Sequence, residues 1–124
     1  MESLKTNENF KNCYQKGRSY VNRYLVLYVC GNGTERNRIG ISVSKKVGNS
    51  VVRHRITRLI REVYRLHEDI FSSGLDMAVV ARVAARDADY HGIEGAFLDL
   101  TDKAKLQRPQ QQLEPSEQTT GLRP

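Results

Sequence analysis

No signal peptide opens the chain, no CxxC occurs, and only two cysteines are present, Cys13 and Cys30. That usage reads as a reducing cytoplasm with two unpaired thiols, and argues against a disulfide-stapled secreted fold. No apolar run approaches the roughly 20 residues a membrane-spanning helix needs, so no membrane partner is expected. Catalytic spacing is missing too. The three histidines, His54, His67 and His91, have no metal-ligand spacing to cysteine or carboxylate. The pairs Asp87/Asp89 and Asp99/Asp102 match no acid–base or metal motif and read as solvated charge. GxSxG, the P-loop and HExxH are absent. No catalytic side chain and no protein-bound metal are therefore expected. Internal repeats and helix-turn-helix spacing are also missing, which disfavours a DNA-binding factor.

What is present is positive charge, and it is concentrated. The 124 residues carry a net +6. Between Arg36 and Arg65 nine basic residues face a single acid, Glu62, so this quarter of the chain is strongly cationic and the remainder slightly anionic. A localised cationic surface is the footprint of a polyanionic partner.

The pattern along the chain predicts one domain over residues 1–106. Leu4–Lys16 reads as a short amphipathic helix, with Phe10, Cys13 and Tyr14 at helical spacing and Gly17 as its stop. Strand character begins at Arg18 and is strongest over 24–29, closed by Gly31-Asn32-Gly33. Residues 31–37 read as a hairpin connection to the alternating strand 39–44, whose Ile39, Ile41 and Val43 would face a core. Asn49 or Ser50 can cap the helix that follows, from Val51 to about His67. Its apolar stripe is Val52, Ile56, Leu59, Ile60, Val63 and Leu66. A buried strand over 77–83 and a helix from Tyr90 to about Leu106 complete the domain, with Ile93, Ala96, Phe97, Leu100 and Ala104 facing inward. The order is α-β-β-β-α-β-α, an α+β sandwich with a crossover helix. Residues 107–124, rich in Gln, Pro and Thr, read as a disordered polar tail.

At about 100° per residue, His54, Arg58, Arg61 and Arg65 stack along the helix side opposite the apolar stripe, flanked by Arg53 and Arg55. A guanidinium fork suits phosphate and stays charged at any working pH. Unrelieved like charges at this spacing cost a few tenths of a kcal/mol per pair, and an ordinary solvated face would interleave more glutamate. Lys45 and Lys46 sit just before the helix N-terminus, whose free N–H groups favour anions. Phe10, Tyr14, Tyr24 and Tyr28 can stack unpaired bases, although aromatic residues at this spacing more often belong to a core.

The stretch RIGISVSKKVGNSVVRHRITRLIRE, Arg38 to Glu62, closely resembles the signature of the bacterial ribonuclease P protein family. Leu4, Lys5, Asn7 and Phe10 also match that family's start, so the resemblance covers about residues 4–106. It implies a ribosomal protein S5 domain 2-like fold with a left-handed βαβ crossover, against the usual right-handed rule. It implies a cytoplasmic subunit, one per RNA subunit, that assists a catalytic RNA in cutting the 5′ leader from precursor tRNA. The enzyme is then an endoribonuclease whose chemistry comes from the RNA with Mg²⁺, which the ribonucleoprotein requires. The RNA-facing set would be Lys45, Lys46, Asn49, Arg53, His54, Arg55, Arg58, Arg61 and Arg65. The leader-binding cleft would be Phe10, Tyr14 and Tyr28, in place of the core reading. Two departures stand out: His54 replaces the family's central Asn, and Thr57 replaces a basic residue. The alternatives are a ribosomal or other non-enzymatic RNA-binding module of similar fold, and a self-sufficient nuclease.

Overall fold

The computed structural model describes residues 2–4 and 6–106. The predicted tail, 107–124, lies outside the described residues, as does Lys5. Two strands precede and follow the first helix: β1 (Glu2–Ser3), α1 (Asn7–Lys16) and β2 (Arg18–Val21). Then come β3 (Leu25–Gly31), β4 (Arg38–Ser42), α2 (Ser50–His67), β5 (Leu75–Ala81) and α3 (Tyr90–Lys103). All five strands form one mixed sheet in the order β1-β4-β5-β3-β2.

Three expectations shift. First, α1 starts at Asn7, not Leu4, because the Thr6 hydroxyl caps it by accepting from the Asn9 N–H at 3.1 Å. Leu4 is extended and buried, and its N–H donates to the Ile39 carbonyl. Second, β3 and β4 are not a hairpin. β5 lies between them, antiparallel to β3 and parallel to β4. The 32–37 connection therefore crosses the start of β5 and is tied to it by side chains. Asn32 Nδ2 donates to Asp76 Oδ1 at 3.0 Å, and Asn37 Oδ1 accepts from the Leu75 N–H at 2.9 Å. Gly74, just before β5, has a φ of +81, a conformation that excludes most side chains. Third, Leu66 is exposed, and Tyr64 takes its place in the core.

The sheet is covered unequally. Leu25, Leu27, Val29, Ile39, Met77 and Val79 meet α2 and α3 in the main core. Its centre is an aromatic triangle of Tyr64, Phe71 and Phe97, with ring centroids 5.9–6.4 Å apart. Among the described residues, the opposite face is covered by α1. Leu4, Cys13 and Ala78 are buried there, with Phe10, Tyr28 and Cys30 packed around them. Both thiols are free. Burial pushes the Cys13 thiol up to about 12, with the neighbouring Cys30 and Asp76 adding to the shift. Because β4 and β5 are parallel neighbours, α2 is the crossover between them.

Candidate nucleic-acid interface

Helix α2 begins where Asn49 Oδ1 accepts from the Val52 N–H at 3.0 Å. Ile56, Ile60, Val63 and Tyr64 are buried, which turns the helix so that Val51, His54, Arg58, Arg61 and Arg65 form one exposed row. Glu62 pairs with Arg65, Nη2 to Oε2 at 2.6 Å. Among the described residues, Arg58 and Arg61 have no side-chain partner, and neither do Lys45, Lys46 or His54. A shallow groove of about 570 Å³ runs along this row, lined by His54, Thr57, Arg58 and Arg61. The Thr57 hydroxyl returns to its own helix, donating to the Arg53 carbonyl at 2.9 Å.

Lys45 and Lys46 stand exposed on a tight turn, Val47 N–H to Ser44 carbonyl at 3.1 Å. The turn is pinned because Val47 is buried. This places two free ammonium groups beside the N-terminus of α2, where N–H groups and dipole both favour anions. The expected cations are not equally available. Arg53 is half-buried, with its Nε shut away without a partner. Arg55 is half-buried as well, and its guanidinium is bonded to the carbonyls of Arg86 and Ala88. The side-chain oxygen of Asn49 is engaged in the cap.

Cations distant in sequence join this surface. Arg23, Lys46 and Arg82 line one groove of about 530 Å³ with Val47 and Val83, and no acidic side chain shares it. Sequence spacing carried no sign of this grouping, because the strand order brings the three together.

The second feature lies across the sheet. Phe10 and Tyr14 on α1 and Tyr28 on β3 form a contiguous aromatic wall. Tyr14 meets Tyr28 edge to face at 4.8 Å and Phe10 at 6.1 Å. Phe10, Lys11, Tyr14, Ile41 and Ser42 line a cleft of about 400 Å³. Gly40 makes room for it: a Cβ there would fall 2.3 Å from the Phe10 ring. Burial raises the Tyr14 hydroxyl above its ordinary value, reinforced by Tyr28, so it remains a neutral donor near neutral pH. Tyr14 is 39% exposed, the most open of the three rings. An open aromatic wall with one lysine at its edge can stack bases and neutralise a phosphate.

Among the described residues, no group of three or more His, Cys, Asp or Glu side chains could hold a metal ion. No described helix is long and apolar enough to cross a membrane.

Comparison with known proteins points to one family. Residues 1–105 match the family model described as Ribonuclease P. The "Ribonuclease P protein component" of Lachnoclostridium phytofermentans is 54% identical over 105 residues, covering 85% of this chain and 90% of that protein. Its counterpart from the Langeland strain of Clostridium botulinum is 47% identical over 104 residues, covering 83% and 94%. Among solved structures, the Staphylococcus aureus RNase P protein superposes with a TM-score of 0.81 at 37% identity, covering 87% of this chain and 99% of that one. The Thermotoga maritima protein gives 0.76 at 26% identity, covering 83% and 97%.

Proposed function

The chain belongs to the ribonuclease P protein family, and from that premise we propose how its two surfaces divide the work of a ribonucleoprotein that matures tRNA 5′ ends. Helix α2 and the Lys45–Asn49 turn grip the phosphates of the catalytic RNA subunit. The cleft lined by Phe10 and Tyr14, with Tyr28 packed behind Tyr14, takes the single-stranded 5′ leader of precursor tRNA. The observation that carries this reading is the placement of the two features on opposite faces of one sheet, so both RNAs are held at once. Cations suit a structured backbone, and stacking rings suit unpaired bases.

In this proposal, phosphodiester hydrolysis belongs to the RNA subunit. Mg²⁺ is a requirement of the ribonucleoprotein, with no protein side chain as its ligand. The protein binds and orients: arginine forks fix the RNA subunit, and the aromatic wall fixes the leader next to the scissile position. One protein per RNA subunit, in the cytoplasm, completes the reading. The generic RNA-binding module is less favoured, since the full-length relatives named above are all ribonuclease P proteins.

The test is reconstitution. A bacterial ribonuclease P RNA is given a 5′-extended precursor tRNA at low Mg²⁺, with and without this protein. Restored cleavage at the mature 5′ end, and none by the protein alone, is the expected result. Tight RNA binding without rescue would return the protein to the generic class, and cleavage by the protein alone would place the chemistry in its side chains.

A further inference from the structure

Arg55 lies among the cations of α2, yet its guanidinium is engaged. Nη1 donates to the Ala88 carbonyl at 2.9 Å and Nη2 to the Arg86 carbonyl at 2.5 Å. These acceptors close a short 3-10 turn, Val83–Asp87, between β5 and α3. The other end of the turn is clipped by Arg82, whose Nη1 donates to the Asn22 carbonyl at 2.7 Å. Between the clips only Ala85 and Ala88 are buried, and Val83 is 57% exposed. Two alanines bury little apolar area, so packing alone holds this turn weakly. Beyond the 3-10 bonds inside the turn, its ends are tied by Ala85 N–H to the Arg82 carbonyl and by Ala88 N–H to the Ala85 carbonyl.

The turn also carries Arg86, exposed and without a side-chain partner among the described residues. The carbonyl that Arg55 grips is that of Arg86 itself, so the bond sets where this second arginine stands relative to α2.

We infer that Arg55 is a positioning residue, which docks the Val83–Ala88 turn against α2 so that Arg86 joins the phosphate-binding surface. This rests on α2 being that surface. A fork spanning two carbonyls, two residues apart, is a geometry that arginine meets and lysine does not, since an ammonium is a point charge on a flexible stem. Two of the five N–H donors of Arg55 are spent on the turn, in the orientation that would otherwise meet a phosphate.

A double-mutant cycle on binding to the RNA subunit, measured against salt, tests this. Arg86→Gln is expected to weaken binding several-fold and to flatten the log–log salt slope by about 0.7–0.9, the loss of one phosphate contact. Arg55→Lys keeps its charge yet should produce the same loss, and the double variant should be no worse than either single one. Hydrogen exchange should show the Ala85 and Ala88 amides losing protection in Arg55→Lys, with α2 and the sheet unchanged. Binding by Arg55→Lys equal to the parent, additive losses in the double variant, or unchanged amide protection would each overturn the inference. Arg58→Gln run in parallel separates the two levels. If it leaves the slope unchanged, the assignment of α2 fails; if it flattens the slope while the cycle is additive, only the role of Arg55 fails.

Discussion

Replacing Arg58 and Arg61 together with glutamine weakens binding of the RNA subunit by about 10- to 100-fold near physiological salt, and flattens the log–log salt dependence by about 1.4–1.8. The two guanidinium groups stand in the exposed row of α2 with no side-chain partner among the described residues, so their removal breaks no contact described in the fold. Glu62 neutralises Arg65 rather than either of them. Relief of like-charge repulsion along the helix should even raise the thermal midpoint of the free protein slightly. The combination is diagnostic: a tighter fold and a looser complex. A salt slope identical to that of the parent would show that these residues do not meet phosphate.

The second large effect concerns stability. Asp76 is nearly buried, and its carboxylate accepts from Arg38 Nε at 2.8 Å, Arg38 Nη2 at 2.6 Å and Asn32 Nδ2 at 3.0 Å. Asp76→Ala leaves a partly buried guanidinium and an amide without their acceptor. Breaking a buried pair in this way costs about 3–5 kcal/mol. Arg38 retains 30% side-chain exposure, so the lower end of that range is expected. For a domain of this size that corresponds to a fall in thermal midpoint of roughly 10–20 °C. The damage should be greatest where the 32–37 connection crosses the sheet, since Asn32 and Asn37 fasten it there. A loss below about 1 kcal/mol in a denaturant titration would contradict this account of the connection.

These two cases mark what was legible in the sequence. The row His54, Arg58, Arg61, Arg65 follows from helical periodicity, because a helix long enough to bury Ile56, Ile60 and Val63 must turn those residues outward. The inward residues of α3 were legible for the same reason. Asn49 was one of two named caps, and it is the one used. Asp76 carried no sign, since its partners come from the far end of β3 and the start of β4, and only the strand order unites them. The hairpin expected over 31–37 failed for the same reason. Local turn chemistry says that a chain reverses, not which strand it pairs with. Leu66 and Tyr64 were exchanged because both lie near the edge of the apolar stripe, and Phe71 and Phe97 offer stacking and edge contacts that an aromatic ring fills. The aromatic wall was ambiguous by spacing alone. In the fold Phe10 lies over Gly40 and, with Tyr28, packs around the small core under α1, while Tyr14 is left at the surface. Arg82 and Arg86 reach the basic surface only through tertiary contacts.

The division of labour between the two faces is the central claim, and one comparison tests it most directly. The reconstituted ribonucleoprotein is assayed for binding precursor tRNA with and without its 5′ leader, using the parent protein and a Phe10→Ala/Tyr14→Ala variant. The account predicts that the parent favours the leader-bearing precursor, and that the variant loses that preference by about tenfold or more, at roughly 1–3 kcal/mol per stacked base. Assembly of the variant with the RNA subunit should be unchanged. A variant that keeps the preference for the leader, or that loses assembly to the same degree, would contradict the claim that the aromatic cleft reads the leader while α2 holds the RNA.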